Sequence, residues 1–88
     1  MPVATRIVFK ISTTFSEWVK VFDADRSNQE AAGIKPIFRG ISETDPTIVM
    51  AILEAEPGIL AKYMQGNPNV EASGHLIGSE EFSNWISS

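Results

Sequence analysis

Asp45-Pro46-Thr47-Ile48-Val49-Met50-Ala51-Ile52-Leu53-Glu54 contains the stretch that decides the fold, the uncharged run from Thr47 to Leu53. It is short, rich in β-branched residues and bounded by turn chemistry, so it reads as a strand. Both of its alternating sets are apolar: Ile48, Met50 and Ile52 on one side, Val49, Ala51 and Leu53 on the other. A strand with one wet face alternates apolar and polar residues, whereas this one needs cover on both sides, as in the middle of a sheet. Helices of the same short chain can cover one side. What covers the other is the question that the remaining sequence has to answer.

Immediately upstream, Ile34 to Ser42 is a weaker strand. Pro36 cannot donate to a ladder and places it at an edge, and Gly40 marks a bulge or a close backbone approach. The turn Glu43-Thr44-Asp45-Pro46 joins the two strands as an antiparallel hairpin. Further back, Val3 to Ser12 alternates cleanly, with Val3, Thr5, Ile7, Phe9 and Ile11 on one face. Thr14 followed three residues later by Glu17 opens a helix with a capping box. Its apolar stripe is Phe15, Trp18, Val19 and Phe22, and Glu17, Lys20, Asp23 and Asp25 take the wet side. The stripe weakens after Phe22, and Gly33 ends the helix as a left-handed cap.

Downstream, Pro57 suits the first position of a second helix, whose apolar side is Ile59, Leu60, Tyr63 and Met64. Gly66-Asn67-Pro68-Asn69 stops that helix. Val70 to Gly78 reads as a helical turn and then a short extended piece through His75-Leu76-Ile77. Glu80 to Ile86, with Phe82, Trp85 and Ile86, is the last strand.

The order strand, helix, strand, strand, helix, strand is the split βαβ pattern of ferredoxin-like α+β folds. The expectation for residues 1–88 is therefore one domain, a four-stranded antiparallel sheet with two helices on one face. In that arrangement the first and third strands are central and the second and fourth are edges. The face away from the helices carries large apolar residues, a liability on a monomer. A second copy stacking sheet on sheet in two-fold symmetry removes it, so a homodimer is expected.

Composition narrows the function classes. At 88 residues, with 43% hydrophobic and 20% charged side chains, the chain is ordinary globular material rather than disordered. Without cysteine it has no disulfide, thiolate metal site or thiol nucleophile. A net charge of −4 and a third strand without aromatics argue against nucleic-acid binding, including the RNA-recognition module of the same element order. No apolar run approaches the roughly 20 residues of a membrane span, and no signal-peptide pattern opens the chain. A cytoplasmic protein is the expectation.

The segments Phe15-Ser16-Glu17-Trp18-Val19-Lys20-Val21-Phe22-Asp23 and Gly33-Ile34-Lys35-Pro36-Ile37-Phe38-Arg39-Gly40, with Gly74-His75 and Trp85-Ile86, resemble the dimeric α+β barrel superfamily. More closely, the chain is similar to a group of short bacterial proteins of unknown function within it. The resemblance implies the fold and dimerisation. It implies no single activity, because this superfamily hosts several.

His75, the one histidine, is the one side chain expected to titrate near neutral pH. Its functional reading is a general base, or a ligand contact at the mouth of a sheet–helix pocket. Small cofactor-free monooxygenases of the superfamily resembled use His, Asn and Trp in such a cavity, and haem-degrading relatives use a His ligand to iron. The plainer reading is a loop histidine capping backbone groups. With no second His or Cys at ligand spacing, no metal is expected, and no cofactor is implied.

Trp18, Phe22, Phe38, Met50, Tyr63, Met64 and Trp85 are candidates for the wall of an apolar ligand cavity, against the simpler alternative that they are core. Arg39 is a candidate carboxylate clamp, against the alternative of a solvated or interface charge. Asp23-Ala24-Asp25 reads as a solvated face, since carboxylates at i, i+2 on a helix diverge. Two functions follow. One is non-catalytic binding of a small apolar or amphipathic, fatty-acid-like ligand between sheet and helices. The other is a cofactor-independent monooxygenase-like enzyme using His75.

Overall fold

The computed structural model of the chain describes residues 2–65 and 67–86. Its elements are β1 (Val3–Lys10), α1 (Phe15–Ala24), α2 (Arg26–Ala31), β2 (Lys35–Ile41), β3 (Ile48–Ala55), α3 (Ile59–Met64), α4 (Pro68–Ala72) and β4 (Glu81–Ile86). The strands form one open antiparallel sheet in the order β2-β3-β1-β4, with β1 and β3 central as expected. The fold is ferredoxin-like α+β. Among the described residues no helix is long and apolar enough to cross a membrane.

β1 and β3 run in unbroken register from Val3↔Ala55 to Lys10↔Ile48. Thr5, Ile7 and Phe9 of β1 and Val49, Ala51, Leu53 and Ala55 of β3 are buried on the helix side. Ile48, Met50 and Ile52 are only half-buried on the other. Trp18, Ile34 and Leu60 close over the helix side and complete the core. Each such large apolar side chain contributes about 1.5–3 kcal/mol on leaving water.

Thr14 caps α1 as its sequence predicts, Oγ1 accepting from the Glu17 N–H at 3.2 Å. The expected single helix up to Gly33 is broken at Asp25, where ψ is −1° and α2 begins. The Asp25 carboxylate accepts from Asn28 Nδ2 at 3.0 Å, a local bond that competes with a continuous helix. Gly33, at φ +84°, ends α2: its N–H donates to the Glu30 carbonyl, and the Ile34 N–H reaches back to that of Gln29.

Three boundaries differ from the sequence reading. Pro57 lies in a turn, and Gly58 at φ +84° precedes α3, which starts at Ile59. Asn67-Pro68 opens a helix rather than only stopping one, with Asn67 Oδ1 accepting from the Asn69 N–H at 3.0 Å and Pro68 in the first turn. The expected stop at Gly66 lies outside the described residues. In β2 the bulge falls between Pro36 and Phe38, not at Gly40. Gly40 answers instead to close approach: a Cβ there would sit 3.0 Å from the Phe38 ring.

The segment before β4 is pinned to the end of β1. The Ser12 N–H donates to the Gly74 carbonyl at 2.8 Å, and the Leu76 N–H donates to that of Lys10 at 2.9 Å. Gly74 sits at φ +92°, where a Cβ would come within 2.3 Å of Thr13 Oγ1. This tight crossing sets His75 beside Ile11.

Candidate functional site

The helical spacing of α1 stacks Phe15, Trp18 and Phe22 in a row, with ring centroids 5.9 and 4.8 Å apart. Phe9 of β1 joins this row at Trp18 (5.6 Å) and stacks on His75 from the other side (4.2 Å). Between this aromatic row, the sheet and α3 lies an inner cavity of about 70 Å³. Trp18, Phe22, Leu60 and Met64 are among its apolar walls. Its polar wall is Asp25, Gln29, Tyr63, Asn69, Ser73 and His75.

Asp25 is the hub of that polar wall and is buried, contrary to the solvated face expected of it. Its carboxylate accepts from Tyr63 Oη at 2.5 Å, Asn69 Nδ2 at 2.9 Å and Asn28 Nδ2 at 3.0 Å. Burial pushes its pKa up, but these hydrogen bonds, with the Gln29 amide nearby, outweigh burial and hold it below the ordinary carboxylate value. Magnitudes agree: bonds to a charged group contribute about 1.5–3 kcal/mol each, against a burial cost of several kcal/mol. Burial and the hydrogen bond to Asp25 push the Tyr63 hydroxyl up to about 12. Tyr63 is therefore a fixed donor near neutral pH, not an acid or base.

Gln29 is 5% exposed, and its Oε1 has no hydrogen-bond partner. Across the cavity, His75 Nε2 lies 2.8 Å from Glu80 Oε1, and Glu80 Oε2 accepts from the Gly78 N–H at 2.8 Å. Burial raises the Glu80 pKa. Its own backbone N–H, the His75 ring and the Gly78 N–H lower it by more than burial raises it and leave it below its ordinary value. An ionised Glu80 keeps the proton on Nε2.

A second, larger cleft of about 740 Å³ lies on the same side of the sheet, over β4 and the ends of β1 and β3. Phe82 and Ile86 floor it, Ile77 and Glu80 bound it, and Leu60, Met64 and Val70 line both it and the inner cavity. The two spaces adjoin at those three side chains.

Of the residues expected at the site, Trp18, Phe22, Tyr63, Met64 and His75 come together around the inner cavity. Arg39 does not face it: the guanidinium pairs with Asp23 and lies 5.8 Å from the Phe22 ring centroid. Phe38, Met50 and Trp85 sit on the opposite face of the sheet, Phe38 across from Ile52, Met50 across from Val8, and Trp85 across from Ala4. The sequence reading missed Gln29, Asn69, Ser73 and Glu80. Asp25-Arg26-Ser27-Asn28, following the fading stripe, carried a signal, an Asp at a helix restart, although its carboxylate bonds Asn28 Nδ2 rather than a helix N–H. Among the described residues no three His, Asp or Glu side chains gather as a metal site.

A family described as Domain of unknown function (DUF3764) matches residues 3–87. The chain belongs to this family. No curated protein matches it in sequence. Similar solved structures include a variant of SnoaB, a cofactor-independent oxygenase from Streptomyces nogalater, at TM-score 0.67 and 12% identity, covering 98% of this chain and 92% of that one. Rv0793 from Mycobacterium tuberculosis is similar at TM-score 0.63 and 15% identity, over 100% and 96% of the two chains. A dimeric protein of unknown function and ferredoxin-like fold from Bacteroides fragilis is similar at TM-score 0.52 and 15% identity, over 96% and 94%. At these identities the likeness is one of fold.

The hub predicts two pH limbs of stability. Asp25 has a lowered folded pKa, so its stabilisation is complete above its unfolded value of about 3.9 and is lost as pH falls through the lowered one. Tyr63 has a raised one, so its contribution is complete below its unfolded value of about 10 and is lost as pH rises toward 12. Urea denaturation across pH is expected to show a flattened acid limb in Asp25→Asn and a flattened alkaline limb in Tyr63→Phe. Limbs identical to those of the unaltered protein would contradict the hub.

Proposed function

We propose that the protein is a non-catalytic binder of a small apolar or amphipathic molecule held between sheet and helices. The observation that supports this best is the adjoining pair of clefts. The inner cavity of about 70 Å³ is small for a ligand, but the outer cleft of about 740 Å³ falls within the roughly 300–1,000 Å³ of ligand pockets. Apolar walls dominate both, and a molecule with a flexible hydrocarbon tail matches their combined shape. Native mass spectrometry of the purified protein, followed by denaturing extraction, is expected to find a co-purifying lipid-like molecule. Protein that is empty in every preparation and takes up no added amphiphile would end this reading.

The same proposal includes a homodimer joined through the open sheet face. Ile48, Met50, Ile52 and Val8 are half-buried there and Phe38 and Trp85 exposed, with Arg6, Lys10, Lys35, Glu54 and Glu81 around them. An apolar patch with charged surroundings is the anatomy of an interface. The Bacteroides fragilis protein of this fold is itself dimeric. Light scattering at micromolar concentration should give twice the chain mass, and Ile52→Lys should give the single-chain mass. A monomeric unaltered protein would exclude this assembly.

A second reading rests on His75, which lines the inner cavity and pairs with Glu80 at the edge of the outer cleft, leaving Nδ1 as the basic nitrogen of a general base. SnoaB, a cofactor-independent oxygenase, supports it by fold alone. Oxygen uptake with quinol-like and polyketide-like substrates separates the two. Turnover that disappears in His75→Ala favours an enzyme, and no turnover with any of them favours the binder.

A further inference from the structure

The cleft has a chemical sign. Asp25 stands ionised in the wall of the inner cavity, and Glu80 lines the outer cleft. Among the described residues no Lys or Arg side chain lines either space: the lysines and arginines of this chain all lie elsewhere. Three donors of the inner cavity are already engaged within its wall. Tyr63 Oη and Asn69 Nδ2 donate to Asp25, and Ser73 Oγ donates to the Val70 carbonyl at 2.6 Å.

The wall also holds a buried acceptor without a partner. Gln29 Oε1 is buried without a partner, and a buried oxygen in that state has a standing cost that a bound donor would remove. A ligand carboxylate meets the reverse situation. Placed inward it faces Asp25, and placed outward it faces Glu80, with no cation at either end to neutralise it.

We infer that the cleft takes a neutral or cationic amphiphile whose polar end is a hydrogen-bond donor, an alcohol or an amine, and discriminates against the matching carboxylate. This rests on the ligand-binding reading above and sharpens it: the hydrocarbon tail of a fatty acid suits the cleft, and its acid head does not. Gln29 is the specificity-determining residue, because its Oε1 is the unpartnered acceptor in the polar wall.

The test is a titration of the full chain near neutral pH with 1-octanol, octylamine and octanoate, read by the amide resonances of the Gln29 side chain and of the backbone. Octanol and octylamine are expected to bind at least about tenfold more tightly than octanoate. Gln29→Met keeps the length of the side chain and removes the acceptor, and should weaken octanol by about five- to tenfold. Asp25→Asn should narrow the gap between octanol and octanoate. Equal binding of all three, or tightest binding of octanoate, overturns the inference and leaves the binder reading intact. No binding of any of the three overturns both. Should Gln29→Met fail to fold, the three-ligand series on the unaltered chain decides the matter alone.

Discussion

A strand that is apolar on both sides sets the terms for everything around it. At an edge β3 would leave the flanks of both apolar sets open, and the chain places it between β2 and β1. Its helix side, Val49, Ala51 and Leu53, is dry because α1 and α3 lay Trp18 and Leu60 over it. Its other side is flanked in the plane of the sheet, by Phe38 and Arg6 beside Ile52 and by Val8 and Gly40 beside Met50. Side chains in one plane shield each other's flanks but not their tops, and that is why Met50 and Ile52 stop at half-buried. The edges carry the complementary restraint. Pro36 and the adjacent bulge roughen β2, and six-residue β4 is short, so lateral growth of the sheet is discouraged.

Asp25 poses the opposite problem, a charge inside rather than apolar surface outside. Its solution uses donors from three helices: Asn28 of α2, Tyr63 of α3 and Asn69 of α4. These polar ties fix where α3 and α4 stand relative to the α1–α2 break. Two of these helices, α2 and α3, have six residues and α4 has five, too short to be stable by themselves. A single carboxylate thus orders three weak elements at once. The gap left between them and the aromatic row of α1 is the inner cavity.

Legibility from sequence followed the range of the interactions. Trp18, Phe22, Tyr63 and Met64 were readable because helical spacing alone decides which side they take. Phe38 was not: simple alternation puts it on the same face as Pro36, and the bulge at Ile37 sends it to the other. Trp85 sits in a strand whose alternating sets both hold an apolar residue, Phe82 and Ile86 on one and Trp85 on the other. Only pairing with β1 decides between them. Asp25 looked solvated because two acids at i, i+2 on one unbroken helix diverge. The break at Asp25 itself turns one inward while Asp23 stays out with Arg39. The pairing of His75 with Glu80 depends on the loop around Gly78, which no periodicity encodes.

Neighbours on α3 hold the two remaining degrees of freedom of the cleft. Tyr63 is tied to Asp25 by a short hydrogen bond, so its ring is a fixed wall and the polarity around it is fixed too. Met64, next in the chain, carries no polar group and lines both the cavity and the outer cleft. Its unbranched side chain has three rotatable bonds and repacks at low cost. Leu60, one turn earlier and buried, is held by the core. Of the three side chains at the junction, Met64 is therefore the one suited to move without disturbing sheet or hub. The volume open to a guest is set at Met64, while the chemistry that guest meets is set at Asp25 and Gln29. Size and polarity are controlled by different residues, so a change in one need not alter the other.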